Sequence, residues 1–282
     1  MKKNKRGKQS PNIVIFLVEG KSDQIALEIP ITEIITDKNP DYEVRFILQQ
    51  RCVNRIGEEV EDNDEEDDYV PEVEYAYGGD ITTSNFVTPE NIEIKITNRF
   101  IKPITRTEGI YPKRIARIIH VVDLDGAYIP DDRIVQFSTM ESGWDRLYYN
   151  DINRTIETLN IDAVRKRNEH KRRNLDYLIS LSDRGIKIGT KTIPYEVYYF
   201  SSNLDHFIHH NANLKDSKCK RADEFVRKYG LDKNKFCEFF FEDSASLGNL
   251  GYKESWKMVK RECNSVRRYT NIDYLMRKMM DL

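Results

Sequence analysis

Residues 13–23 read IVIFLVEGKSD. Ile13–Val18 is an unbroken apolar run rich in β-branched residues, the pattern of a strand covered on both faces in a parallel sheet. Gly20 permits a tight turn beside Glu19, and Ser22 and Asp23 offer N-cap chemistry for a helix reaching about Ile29, which Pro30 ends or interrupts. About a hundred residues later, Ile118–Gly126 reads IIHVVDLDG, a second apolar strand ending in two aspartates one residue apart. The expectation is that the two strands lie side by side.

The remaining punctuation fits an α/β chain. Tyr42–Leu48, YEVRFIL, alternates as a second strand. Residues 89–101 read as a helix with Ile92, Ile96 and Phe100 on one face and Pro103 at its end, although the alternation of Ile92–Ile96 also suits a strand. Residues 149–183 read as a helical insertion. Strand material in 186–200 ends in YEVYYF, followed by a helix on LDHFIHH. The C-terminal part is helical: residues 222–229, 252–263 and 272–280. Strand and helix segments alternate with long insertions, which predicts one α/β domain over 13–282 with a mainly parallel sheet flanked by helices. Residues 1–12 read as a flexible basic tail. Residues 58–74 are so acidic that they read as a solvated loop.

Composition narrows the options. The 282 residues carry 45 Lys and Arg against 47 Asp and Glu, a net charge of −2 that neither demands nor excludes nucleic acid. Mean hydropathy is −0.66, and no apolar run approaches the roughly 20 residues of a membrane span. With no secretory h-region, the expected location is cytoplasmic. The four cysteines, at 52, 219, 237 and 263, form no CxxC pair, which argues against a zinc ribbon or redox dithiol.

The strand ends carry the chemistry. In open α/β sheets, sites form at the carboxyl ends of strands, where loops converge. Glu19 projects there, and Asp123 and Asp125, two apart on one strand, point the same way. Such carboxylates suit Mg²⁺ or Mn²⁺, hard cations that act on phosphodiesters. An isolated DxD is equally a turn or capping pair; the conjunction of strand–Glu-Gly–helix with strand–DxDG is the stronger signal. EGKS is not a P-loop, because Ile15 stands where its first glycine belongs. No G-x-G-x-x-G fingerprint is present, and the acidic loop lacks EF-hand order.

VEGKSD and VVDLDG resemble the two signature motifs of the Toprim domain of topoisomerases, bacterial primases, a ribosomal-RNA maturase and OLD-type nucleases. The resemblance implies that Glu19, Asp123 and Asp125 act catalytically and hold Mg²⁺ or Mn²⁺, with Asp23 as the further acid of OLD-like nucleases. YYFSSNLDHFIHH is similar in part to a segment of stand-alone, RloB-like Toprim proteins, with Asp205 near the family's glutamate but the proline missing. There is no ATPase motif or topoisomerase segment. What the resemblance implies is a stand-alone Toprim nuclease acting on DNA or RNA, an anti-phage defence effector that in some systems pairs with a separate ATPase, as in PARIS; a homodimer is compatible with it. Lys21, beside Glu19, is a minor candidate.

Other features keep two readings each. Arg165, Lys166, Arg167, Lys171, Arg172 and Arg173 form either a solvated helix face or a phosphate-tracking nucleic-acid surface. Arg267, Arg268, Arg277 and Lys278 form a second basic patch, with Tyr269 as a base-stacking or buried aromatic. His206 and His210 have the i, i+4 spacing of a zinc pair or simply pack, and His120 reads as a satisfied core histidine. Beside the nuclease stand two alternatives: an inactive Toprim module that binds nucleic acid or a partner, and a DxD-type phosphohydrolase of small substrates, which leaves Glu19 unexplained.

Overall fold

The computed structural model describes residues 12–53, 74–77, 79–137, 147–214 and 217–280. The tail before residue 12 and nearly all of the acidic loop lie outside the described residues. In chain order the strands are β1 (Asn12–Val18), β2 (Tyr42–Leu48), β3 (Gln50–Val53), β4 (Glu74–Tyr77), β5 (Ile115–Asp123), β6 (Ile134–Gln136), β7 (Tyr148–Asn150), β8 (Thr155–Thr158), β9 (Ile186–Ile188), β10 (Lys191–Ile193) and β11 (Tyr195–Phe200). The α-helices are α1 (Lys21–Lys38), α2 (Ile92–Ile96), α3 (Lys102–Thr107), α4 (Ile161–Ser180), α5 (Leu204–His209), α6 (Lys218–Phe225), α7 (Lys233–Phe241), α8 (Tyr252–Val259) and α9 (Ile272–Met280).

The central sheet has the order β11-β5-β1-β2, and every pairing in it is parallel. The two strands recognised from their apolar runs are therefore neighbours, with Ile15 opposite Ile118 and Leu17 opposite His120. Ile13–Val18 are all fully or nearly fully buried, as a central parallel strand requires. From β1 the chain passes outward to β2, then returns to the other side of β1 as β5. The sheet's switch in direction thus falls between β1 and β5, the place at which open α/β sheets bind their ligands.

Helices α1, α6, α7 and α9 pack together, with α1 also on β2 and α9 on β11, whereas α4 packs on β11 and β6. Two short antiparallel hairpins, β3–β4 and β9–β10, and a three-stranded sheet, β6-β8-β7, complete the described strands. Among the described residues no helix is long and apolar enough to cross a membrane.

Three expectations are corrected. Pro30 does not stop α1, which runs on to Lys38. Ala26, Leu27, Pro30, Ile31, Ile34 and Ile35 form its buried stripe, and burying that face outweighs the roughly 3 kcal/mol an internal proline costs. Pro103 likewise does not end its helix: α2 continues through a π-helical turn, Thr97–Ile101, into α3, and the proline follows on that wider turn. The insertion at 149–183 is not helical throughout. It begins with β7 and β8, and α4 starts only at Ile161, with Asn160 accepting from the Ala163 N–H as its N-cap.

Candidate metal centre

Glu19 and Gly20 bend the chain from β1 into α1, and the Gly20 N–H donates to Asp23 Oδ2 at 2.7 Å. On the neighbouring strand β5 ends at Asp123, and the chain turns through Asp125 (φ 49°) and Gly126 (φ 68°). The turn is clamped to the end of β11: the N–H groups of Leu124 and Asp125 donate to the carbonyls of Phe200 and Ser202 at 2.8 and 2.9 Å. Gly126 is required, since a Cβ there would meet Val266 Cγ1 at 2.7 Å and Ile156 Cδ1 at 2.8 Å.

Carboxylate oxygens of Glu19, Asp80 and Asp125 lie within 4.8 Å of one another, and this acidic cluster can hold a metal ion. Glu19 and Asp125 were anticipated; Asp80 was not. It arrives on the turn that follows Gly79, where its Oδ1 accepts from the Thr82 N–H (2.8 Å) and hydroxyl (2.6 Å). Asp123 is not in this trio. Its Oδ1 accepts from the Leu204 N–H at 3.0 Å, at the start of α5, and its charge is felt with those of Asp23, Glu19 and Asp125.

Lys171 also stands in the site. Its side chain is 0% exposed, and Nζ lies 2.7 Å from Asp80 Oδ2 and 2.6 Å from Asp125 Oδ2. Tyr149 donates to Asp125 Oδ1 (3.2 Å), and Arg167 Nη2 to the Asp125 carbonyl (3.0 Å). The electrostatics follow from burial. Burial, then the charges of Asp80 and Asp125, push the Glu19 carboxyl well up; burial also raises Asp123 and lifts Asp23 to about 6. Burial works on Asp125 in the same direction, but Lys171 and Arg167 outweigh it and hold the group below its ordinary value.

The donor set fits a hard divalent cation. All three donors are carboxylates, and no soft ligand is among them. Glu19 Oε2 is buried without a hydrogen-bond partner, an orphaned acceptor of the kind a metal ion satisfies. Three carboxylates and one ammonium leave a formal charge of −2, which one divalent ion neutralises.

A second acidic group borders the first. Asp205, 4% exposed, pairs with Lys218 Nζ at 3.1 Å, and the Lys218 charge is also felt by Asp23 and Asp123. Lys21 is exposed and donates to Gln24 Oε1. The basic stretch of α4 does not form one surface. Lys171 is buried in the site; Arg165 and Arg172 lie against Asp131, the former on its carbonyl at 3.0 Å. Of the six, Lys166 and Arg173 are exposed and the others half-buried or buried. In the C-terminal patch Arg268 forms a two-pronged pair with Asp243, Lys278 pairs with Glu196, and Arg277 covers the Phe241 ring. His206 is buried against Ser202 Oγ (3.0 Å), whereas His210 is the exposed left-handed cap of α5 (φ 57°), so the two do not share a helix face.

Asp80 had no periodic element to announce it. Lys171 did carry a signal: residues 164, 168, 171, 175 and 178 form the buried stripe of α4, and a lysine stands in that stripe. No family model, no curated protein and no solved structure matches this chain.

Proposed function

We propose that this chain is a Mg²⁺- or Mn²⁺-dependent phosphodiesterase of Toprim type that cleaves nucleic acid, DNA or RNA, as an anti-phage effector. The carrying observation is the convergence of Glu19, Asp80 and Asp125 at the switch point of a parallel sheet, with the buried, unpartnered Glu19 Oε2 among them. The substrate class rests on the resemblance of VEGKSD and VVDLDG to the Toprim motifs. Glu19, Asp80 and Asp125 would hold the ion, which supplies polarisation of a phosphoryl oxygen and activation of water. Lys171 keeps Asp80 and Asp125 together and cancels one of their charges. Lys218, half-exposed beside Asp205, and Lys21 at the start of α1 place cations where a phosphate backbone would approach.

One observation favours a second reading. Lys171 already bridges two of the three carboxylates, which is also how a site that has lost its metal chemistry would be neutralised. An inactive module of that kind would retain nucleic acid in a salt-dependent way and never cut it. Incubation with plasmid, single-stranded DNA and total tRNA in Mg²⁺, Mn²⁺ or EDTA separates the two. The nuclease reading expects cleavage that needs metal, stops in EDTA and disappears in Glu19→Ala with the fold intact. Cleavage by Glu19→Ala at the wild-type rate removes the assignment, and retention without turnover under every metal selects the binding module.

A further inference from the structure

Gln49 follows β2 and is fully buried, as is His120, in the middle of β5. The Gln49 backbone N–H donates to the Val18 carbonyl (2.9 Å), the residue before Glu19. Its side-chain Oε1 accepts from the Ile81 N–H (2.9 Å), the residue after Asp80. Its Nε2 lies 2.8 Å from His120 Nε2, three residues before Asp123, and His120 Nδ1 lies 2.7 Å from the Tyr195 hydroxyl. One residue therefore joins the neighbours of two cluster carboxylates, Val18 through its backbone N–H and Ile81 through its side chain, and that side chain is held by the strand that delivers the third.

The chemistry orients every proton. The Ile81 N–H can only donate, so the amide oxygen faces it and the amide NH₂ faces His120. His120 Nε2 must then accept, which puts the imidazole proton on Nδ1, donating to Tyr195. Burial lowers the imidazole to about 4, so the neutral ring is the form present near neutral pH. A buried polar chain of this kind costs desolvation that an apolar core would avoid, and such networks specify one arrangement.

We propose that Gln49, held by His120 and Tyr195, is the positioning residue that sets the separation of Glu19 and Asp80, and so the affinity of the site for its metal. This rests on the metal-centre reading above. The described hydrogen bonds of Gln49, His120 and Tyr195 stop short of the cluster carboxylates, so their effect passes through the backbone of Val18 and Ile81.

Mn²⁺ binding to the full chain, measured by calorimetry, tests it. Gln49→Met keeps the volume but removes both side-chain hydrogen bonds, and Mn²⁺ affinity is expected to fall about 10–100-fold, as for supporting groups around metal ligands. Gln49→Glu keeps the acceptor for Ile81 and can accept from His120 Nε2 once that nitrogen carries the ring proton. It is expected to bind Mn²⁺ within about 3-fold of wild type, a small fraction of that loss, with the proton moved to Nε2 in ¹⁵N spectra of the ring. Phe236→Leu, a buried change in α7, is the control for destabilisation alone and should leave Mn²⁺ affinity unchanged. Equal affinity in wild type and Gln49→Met overturns the proposal, as does an Nε2–H tautomer in the wild-type protein, a measurement that does not depend on any variant folding. A wild-type protein that takes up no Mn²⁺ removes the metal reading and this inference with it.

Discussion

Lys171 decides how the acidic site can exist without a metal. Its ammonium is wholly buried, and burial alone would lower it, but Asp125, Asp80 and Glu19 raise it far above the ordinary lysine range, so it stays charged. Removing one member of a buried ion cluster costs about 3–5 kcal/mol, because the remaining charges lose their partner. Lys171→Met is therefore expected to lose stability of that order in urea unfolding at pH 7. Added Mg²⁺ should recover much of the loss, and acidification should shrink it as Asp125 takes up a proton. A variant as stable as wild type in metal-free buffer would refute this account. Asp80 makes a second point. Because its oxygens are in the trio and those of Asp123 are not, Asp80→Asn is expected to lower Mn²⁺ affinity more than Asp123→Asn does, by at least about 10-fold relative to wild type. Calorimetric titration of both variants decides the ranking.

At the scale of elements, α4 brings the turn that carries Asp80 to the sheet. Asn174 Nδ2 donates to the carbonyls of Thr82 and Val87, both at 3.0 Å, and the His170 ring donates to the Ser84 carbonyl at 2.8 Å. Asn174→Leu would strand two buried carbonyls, at a cost of roughly 2–4 kcal/mol. Its local signature is faster amide exchange across residues 80–88 than in β1 or β5, and uniform exchange would count against α4 as the anchor. The same element shows why the sequence was legible only in part. β1, β2, β5 and β11 could be read because each is a compact apolar or alternating run, and the parallel neighbours β1 and β5 bring Glu19 and Asp125 together. β7 and β8 are three and four residues long, too short to impose a period on their surroundings, so the helical reading of α4 spread over them. Asp80 sits in a turn whose position depends on α4, some ninety residues downstream, and no local pattern encodes a contact of that span. Pro30 misled for a related reason: a local breaker signal yields to tertiary packing when a buried face is at stake.

For the molecule as a whole, charge concentrated at one end of the sheet links metal, pH and stability. Asp23 is raised to about 6, and Glu19 and Asp123 are also raised. A carboxyl raised on folding binds a proton more tightly in the native state. Its contribution is full below the unfolded value near 3.8 and is lost as pH climbs through the folded value. For Asp23 that window runs from about pH 4 to about pH 6, so the metal-free protein should become less stable across it. A metal ion reverses the trend at Glu19, because it must displace that carboxyl's proton and therefore binds more tightly as pH rises. At a free concentration 100 times its Kd, the ion adds about 2.7 kcal/mol, which for a chain of this size raises Tm by roughly 5–10 °C. Thermal unfolding at pH 5 and pH 7, with EDTA or with Mg²⁺, should thus show a higher Tm at pH 5 than at pH 7 in EDTA and a Mg²⁺-induced rise that is small at pH 5 and large at pH 7. The rise should vanish in Glu19→Ala, whose orphaned oxygen is the ligand most in need of the ion. A Mg²⁺ shift of equal size at both pH values, or one that persists in Glu19→Ala, would place the ion elsewhere on the protein.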